Sequence, residues 1–227
     1  DRIQATTPTD KKSMTYAHRE IIFDADTHMM ERPDWISQFA DAAIRPRLAP
    51  FLKGSVHGHE TVQDALDKFA ARRTDPDLRL AAESDFMDMR FKGWHGLGAF
   101  DAQERKRAND LLGFQGSIVF PTEAFNQVIA ANDSEVLLGG VRALNRGMAT
   151  FCEADPRMFG VYYVPLGQGP ETSCQMIDEI IHLGGRVLLI DTVASEGAKS
   201  FTHQDYDQVW KKLRFWKILR NKESIIF

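Results

Sequence analysis

Cysteine is nearly absent from this chain: Cys152 and Cys174 are the only two in 227 residues, and they lack the C-x-x-C spacing of zinc or redox pairs. A disulfide framework is thereby excluded, and both read as reduced, half-buried helix residues. No apolar stretch approaches the ~18 residues that a membrane span needs. The polar opening DRIQATTPTDKKS also lacks the apolar core of a secretory leader, so a cytoplasmic protein with no membrane partner is expected. Nor is there an excess of one charge: 28 Lys+Arg against 32 Asp+Glu leave a formal charge of −4, and the basic residues are scattered rather than interleaved with aromatics. Nucleic acid is therefore not an expected partner. G-x-G-x-x-G, G-x-x-x-x-G-K-[ST] and G-x-S-x-G are all missing, which leaves phosphate cradles and a serine nucleophile elbow unsupported. What is present, 43% hydrophobic residues, suffices to fill a sizeable core.

Residues 1–20 read as a polar tail, and 21–25, IIFDA, as a buried strand handing over to a loop. From Pro33 to about Phe100 strand character disappears. There WISQFADAAIRP and ETVQDALDKFAARR read as amphipathic helices broken by Pro46, Pro50, Gly54 and Gly58, which makes 33–100 a mostly helical insertion. DAQERKRANDLLG predicts a helix from an Asp101 cap to a Gly113 stop, and QGSIVFP at 115–121 a second buried strand. A longer helix over 133–154 carries Leu137, Leu138, Val141, Leu144, Met148 and Phe151 at three- and four-residue steps, and Pro156 stops it. MFGVYYVP is a third strand. Pro170 opens a helix with Met176, Ile177, Ile180 and Ile181 on one face and Gly184 at its end, before RVLLI as strand four. DYDQVWKKL adds a helix ending near 213, and 214–227 reads as a tail. Apolar strands alternating with helices predict an α/β fold with a parallel sheet, either a (β/α) barrel or a doubly wound sheet. Strand order separates the two, because a doubly wound sheet reverses at strand one.

Asp26-Thr27-His28 directly follows strand one. Alternate residues of a strand share a face, so Asp26 and His28 can aim one oxygen and one nitrogen at a common point, at the strand end where α/β folds build their sites. That pattern fits a divalent metal; the competing reading is a loop Asp that caps the next element beside a hydrogen-bonded His. His57 and His59 form an H-x-H but lie between Gly-rich turns, away from a strand end, and are not assigned as ligands. Trp94 and His95 in FKGWHGLGAF either close over the site or form a packed aromatic turn. Thr122 and Asp191 follow strands two and four and face the same end or cap turns, and His182 near a helix C-terminus reads as structural.

The segment IIFDADTHMMERPDWI resembles the opening of the amidohydrolase-related family, the branch that includes aminocarboxymuconate-semialdehyde decarboxylase and related non-oxidative decarboxylases. GWHGLGAFDAQERKRANDLLGFQGSIVFPT, RALNRGMATFCEADPRMFGVYYVPL and FTHQDYDQVW resemble further stretches in the same order, over about 20–213. The resemblance implies a (β/α)8 TIM barrel, of which 21–213 would hold the first four βα units. It also implies a metal-dependent hydrolase or carboxy-lyase acting on a small, carboxylated or cyclic substrate. In that family the first strand ends in H-x-H; here Asp26 stands at the first histidine and His28 at the second. An Asp-His pair is harder and more anionic than His-His, which moves the expected metal from zinc alone towards Zn, Mn or Mg. Glu31 is placed near the metal, as a partner of its surroundings or a substrate contact, against the plainer reading of an exposed Glu opening the next helix.

The family's later metal-binding histidine, catalytic histidine and last-strand Asp would lie beyond the fourth unit, so no catalytic residue is assigned. The 14 residues after Leu213 cannot hold four more units at roughly 25 to 30 residues each. A truncated chain is expected, one that binds metal weakly and is inactive alone. The alternative is a non-catalytic fragment whose open sheet edges pair with another chain, a homo-oligomer among the outcomes.

Overall fold

Alternating apolar runs and capped helices build one parallel sheet in the computed structural model, which describes residues 15–18, 20–48, 59–192, 194, 199–219 and 225–226. Strands β1 (Phe23–His28), β2 (Gly116–Phe120), β3 (Met158–Val164), β4 (Val187–Ile190) and the two-residue β5 (Ile225–Ile226) are hydrogen-bonded in sequential order. Every neighbouring pair is parallel. There is no reversal at β1, the arrangement a barrel requires and a doubly wound sheet does not have.

The connecting helices are α1 (Trp35–Phe39), α2 (Arg45–Leu48), α3 (His59–Thr74), α4 (Pro76–Met87), α5 (Ala102–Leu112), α6 (Glu123–Ile129), α7 (Ser134–Cys152), α8 (Pro170–His182) and α9 (Asp207–Leu219). Local chemistry sets several of their ends. Asp101 accepts from the Glu104 N–H at the start of α5, and Gly113 at φ 75° closes it in the left-handed region. Asp133 caps α7 in the same way, through the Val136 N–H. Along α7 the side chains of Val141, Leu144 and Met148 are fully buried against the sheet, each worth ~1.5–3 kcal/mol of transfer free energy. On the other side of α7, Gly147 lets α1 approach: a Cβ there would lie 2.4 Å from Trp35 Cζ2.

Between β1 and residue 100 the described residues form helices and turns and no strand, as the composition predicts, although Pro46, expected to break a helix, lies within the short α2. Val62, Phe69, Trp94 and Phe100 form a small core of their own. Arg72 on α3 ties that unit to α5 through a bidentate pair with Glu104 at 2.6 and 2.7 Å. His57 lies outside the described residues, and His59 is the first residue of α3.

Three expectations need correction. Strand one is not buried: it begins at Phe23 and carries Asp26–His28 within it, and Ile21 and Phe23 are 79% and 66% exposed. Its apolar residues suggested burial, but β1 has a strand partner on one edge only among the described residues. The helix expected to stop near 213 continues to Leu219, because nothing between Asp207 and Leu219 is Gly or Pro. The short α6 was not foreseen, for a reason that lies in the site. Both cysteines are free as expected, but Cys152 is buried, and burial pushes its thiol up to about 12. No helix among the described residues is long and apolar enough to cross a membrane.

Candidate functional site

A β-bulge shapes the end of β1. Phe23 and Asp24 pair with Gly116 and Ser117, whereas Thr27 and His28 pair with Val119 and Phe120, so β1 spends one more residue than β2 between these points. In a regular strand Phe23 and His28 would face opposite sides. The extra residue puts both on the face of Gly116 and Phe120, and the His28 imidazole stacks on Phe120 with centroids 5.5 Å apart.

Asp26 and His28 meet there: Oδ1 of the carboxylate lies 3.3 Å from Nε2 of the ring. Asp26 is exposed and His28 partly so. The other ring nitrogen, Nδ1, lies 3.3 Å from Oγ1 of Thr122, whose hydroxyl donates its one proton to the Met29 carbonyl at 2.5 Å. Towards His28 this hydroxyl accepts, which favours the tautomer with the proton on Nδ1 and turns the Nε2 side towards Asp26. A lone pair and a carboxylate oxygen at this distance form a pair of donors that a cation can bridge.

Thr122 is held from below. Glu31 is 1% exposed, and its two carboxylate oxygens accept from the backbone N–H groups of Thr122 at 2.7 Å and Glu123 at 2.9 Å. These are the first N–H groups of α6, so Glu31 caps that helix from 91 residues away. Thr122 occupies the cap position but makes no capping bond itself, since its hydroxyl serves Met29. Burial raises the Glu31 pKa above its ordinary value, against the lowering effect of the backbone donors. Glu31 thus reaches His28 through Thr122 and is enclosed by protein rather than open to a substrate.

Arg105, on α5, carries no signal in the sequence that marks it for the site. It is 8% exposed and donates to Gly98 O at 2.7 Å, Thr27 Oγ1 at 2.9 Å and His28 O at 2.7 Å. Desolvation pushes its guanidinium down to about 10. Gly98 can accept this bond because it sits at φ +72°, where a Cβ would be 2.4 Å from the Arg105 backbone.

The remaining candidates lie apart. Trp94 is 3% exposed and packs against Phe100 in the insertion's own core, while His95 lies 3.7 Å from Asp64. Asp191 accepts a short hydrogen bond from the Tyr163 hydroxyl and another from Gly167 N, which fixes the turn after β3. Burial first, and then Asp191, push the Tyr163 hydroxyl far above its usual range. His182 donates to the Asp178 carbonyl on its own helix.

Asp26 and His28 open into a cleft of about 460 Å³ that Met30, Phe86, Phe91 and Lys92 also line. The pair offers two donors to a cation. Among the described residues no three His, Cys, Asp or Glu side chains gather around one point. Compared with protein-family models and with curated proteins, the chain matches none.

Proposed function

We propose that this chain is part of an amidohydrolase-type barrel, a metal-dependent hydrolase or non-oxidative carboxy-lyase for a small, carboxylated or cyclic substrate. The observation that supports this is the approach of Asp26 Oδ1 and His28 Nε2 to 3.3 Å at the carboxyl end of a parallel strand. Two donors on one cation at ~2.0–2.2 Å stand about 3 Å apart, so the pair needs only small rotamer changes to share a metal. A bound Zn, Mn or Mg ion would polarise a substrate oxygen or lower the pKa of a water. The chain's own residues orient the donors: Thr122 fixes the ring by its Nδ1, and Glu31 fixes Thr122.

With two protein donors rather than three or four, binding is expected to be weak. Calorimetric titration of Zn²⁺ and Mn²⁺ into the parent chain should show it, with about a tenfold loss or more in Asp26→Ala and in His28→Ala. Unchanged binding in both variants removes the metal assignment.

A second reading, a non-catalytic chain that pairs with another through its sheet, is favoured by β1, which has a strand partner on one edge only among the described residues, and by its exposed Phe23. Such an edge is a template for a further strand. Analytical ultracentrifugation should then give a mass that rises with concentration in the parent and not in Phe23→Lys. A monomer throughout the concentration series removes this reading.

A further inference from the structure

A second, more apolar cleft lies in the insertion. Helices α3 and α4 enclose about 280 Å³ between Ala71, Leu78, Ala82, Phe86, Phe91 and Leu97. No residue of α4 is buried, so its inward face meets α3 and this space instead of a filled core. The charges around it are already paired: Lys68 with Asp64, Arg72 with Glu104, Asp85 with Arg90, and His95 faces Asp64. A charged ligand group would find no free counter-ion there, whereas an apolar body would lose only water.

Phe86, Phe91 and Leu97 line this space and also the cleft of Asp26 and His28, so the two adjoin across these three side chains. On the Asp26 side stands Lys92, exposed and in no ion pair among the described residues. We infer that the α3–α4 cleft holds the apolar, ring-sized body of a carboxylic acid whose carboxylate lies in the adjoining cleft by Lys92 and whose specificity is set by Ala82, Phe86 and Phe91. This rests on the reading of the Asp26–His28 cleft as the reacting one and adds the shape of its substrate. The size of the space agrees: small-molecule sites start at roughly 300 Å³ and are apolar with a few placed polar groups.

The test uses 2-naphthoate, acetate and the neutral 2-naphthalenemethanol, titrated calorimetrically into the metal-free chain. Naphthoate should bind at least about tenfold tighter than acetate, since it buries a ring system that acetate lacks. Ala82→Trp, which fills the cleft, should abolish that preference, and Phe91→Ala, at a half-exposed position, should weaken it with the circular dichroism unchanged. Lys92→Gln should weaken naphthoate several-fold and leave the neutral alcohol unaffected. Equal affinity for naphthoate and acetate overturns the proposal. So does naphthoate binding that ignores Ala82→Trp and Phe91→Ala in folded protein, or that ignores Lys92→Gln. Because no metal is present, a failure here is separate from a failure of the Zn²⁺ and Mn²⁺ titrations: Asp26→Ala should leave naphthoate binding in place while removing the metal.

Discussion

Replacing Arg105 with methionine is expected to cost about 3 kcal/mol or more of stability, because the change keeps the bulk of the side chain and removes its donors. The carbonyls of Gly98 and His28 and the hydroxyl of Thr27 all take hydrogen bonds from this one guanidinium at 2.7 to 2.9 Å. Each buried acceptor left unpaired costs ~1–3 kcal/mol. A surface ion pair sets the scale for comparison: Arg107, half exposed, pairs with Glu83, and Arg107→Met should lose less than ~1 kcal/mol. In thermal unfolding the difference is wide, since 1 kcal/mol moves the midpoint of a chain this size by roughly 2–4 °C. A loss in Arg105→Met no greater than in Arg107→Met would mean that the guanidinium does not hold the strand. The consequence reaches the site, because two of the three bonds end on Thr27 and His28 and so hold the end of β1 against α5, while the third ties α5 to Gly98 of the insertion.

The parts of this structure legible in the sequence are those whose causes are local. Asp101 and Gly113 bracket α5 through contacts within a few residues, and the buried stripe of α7 is a periodicity that a helix alone creates. Alternation of strand and helix likewise foretells a parallel sheet. The burial of β1 was not legible, because IIF reads the same at an edge as in the middle of a sheet; what differs is the number of neighbouring strands. The bulge was hidden too, since it is a property of the β1–β2 pairing and not of β1.

In the candidate site the same division holds. The i and i+2 spacing of Asp26 and His28 was enough to expect their approach, and they do meet. Arg105 and the role of Glu31 depend on partners 77 and 91 residues away, beyond the reach of any local pattern. Helix α6 belongs with them: its N-terminus lacks a side-chain cap of its own, so the signal that normally announces a helix stands at residue 31. Trp94 could be read either way from sequence, and its burial beside Phe100 makes it part of the insertion's core.

Glu31→Ala is expected to rival Arg105→Met in cost, at about 3 kcal/mol or more, because it orphans two N–H groups at the start of α6 and leaves a void where a carboxylate was 1% exposed. The isosteric Glu31→Gln carries the sharper test, since it removes the titration. Burial raises the folded pKa of Glu31 above its ordinary 4.5, so between the two values the folded chain binds more protons than the unfolded one. The stability linked to this group is therefore complete below pH 4.5 and is lost as pH rises through the folded pKa. Urea unfolding of the parent and Glu31→Gln across pH 4.5 to 7 should show the parent gaining on the variant as pH falls, whatever the other carboxylates do in both. A difference that is flat with pH, or that grows in the opposite direction, would mean that the two backbone donors outweigh desolvation. The metal titration adds a second readout: if Glu31 orients His28 through Thr122, Glu31→Gln in folded protein should weaken Zn²⁺ and Mn²⁺ by about tenfold, and unaltered affinity would confine Glu31 to capping α6.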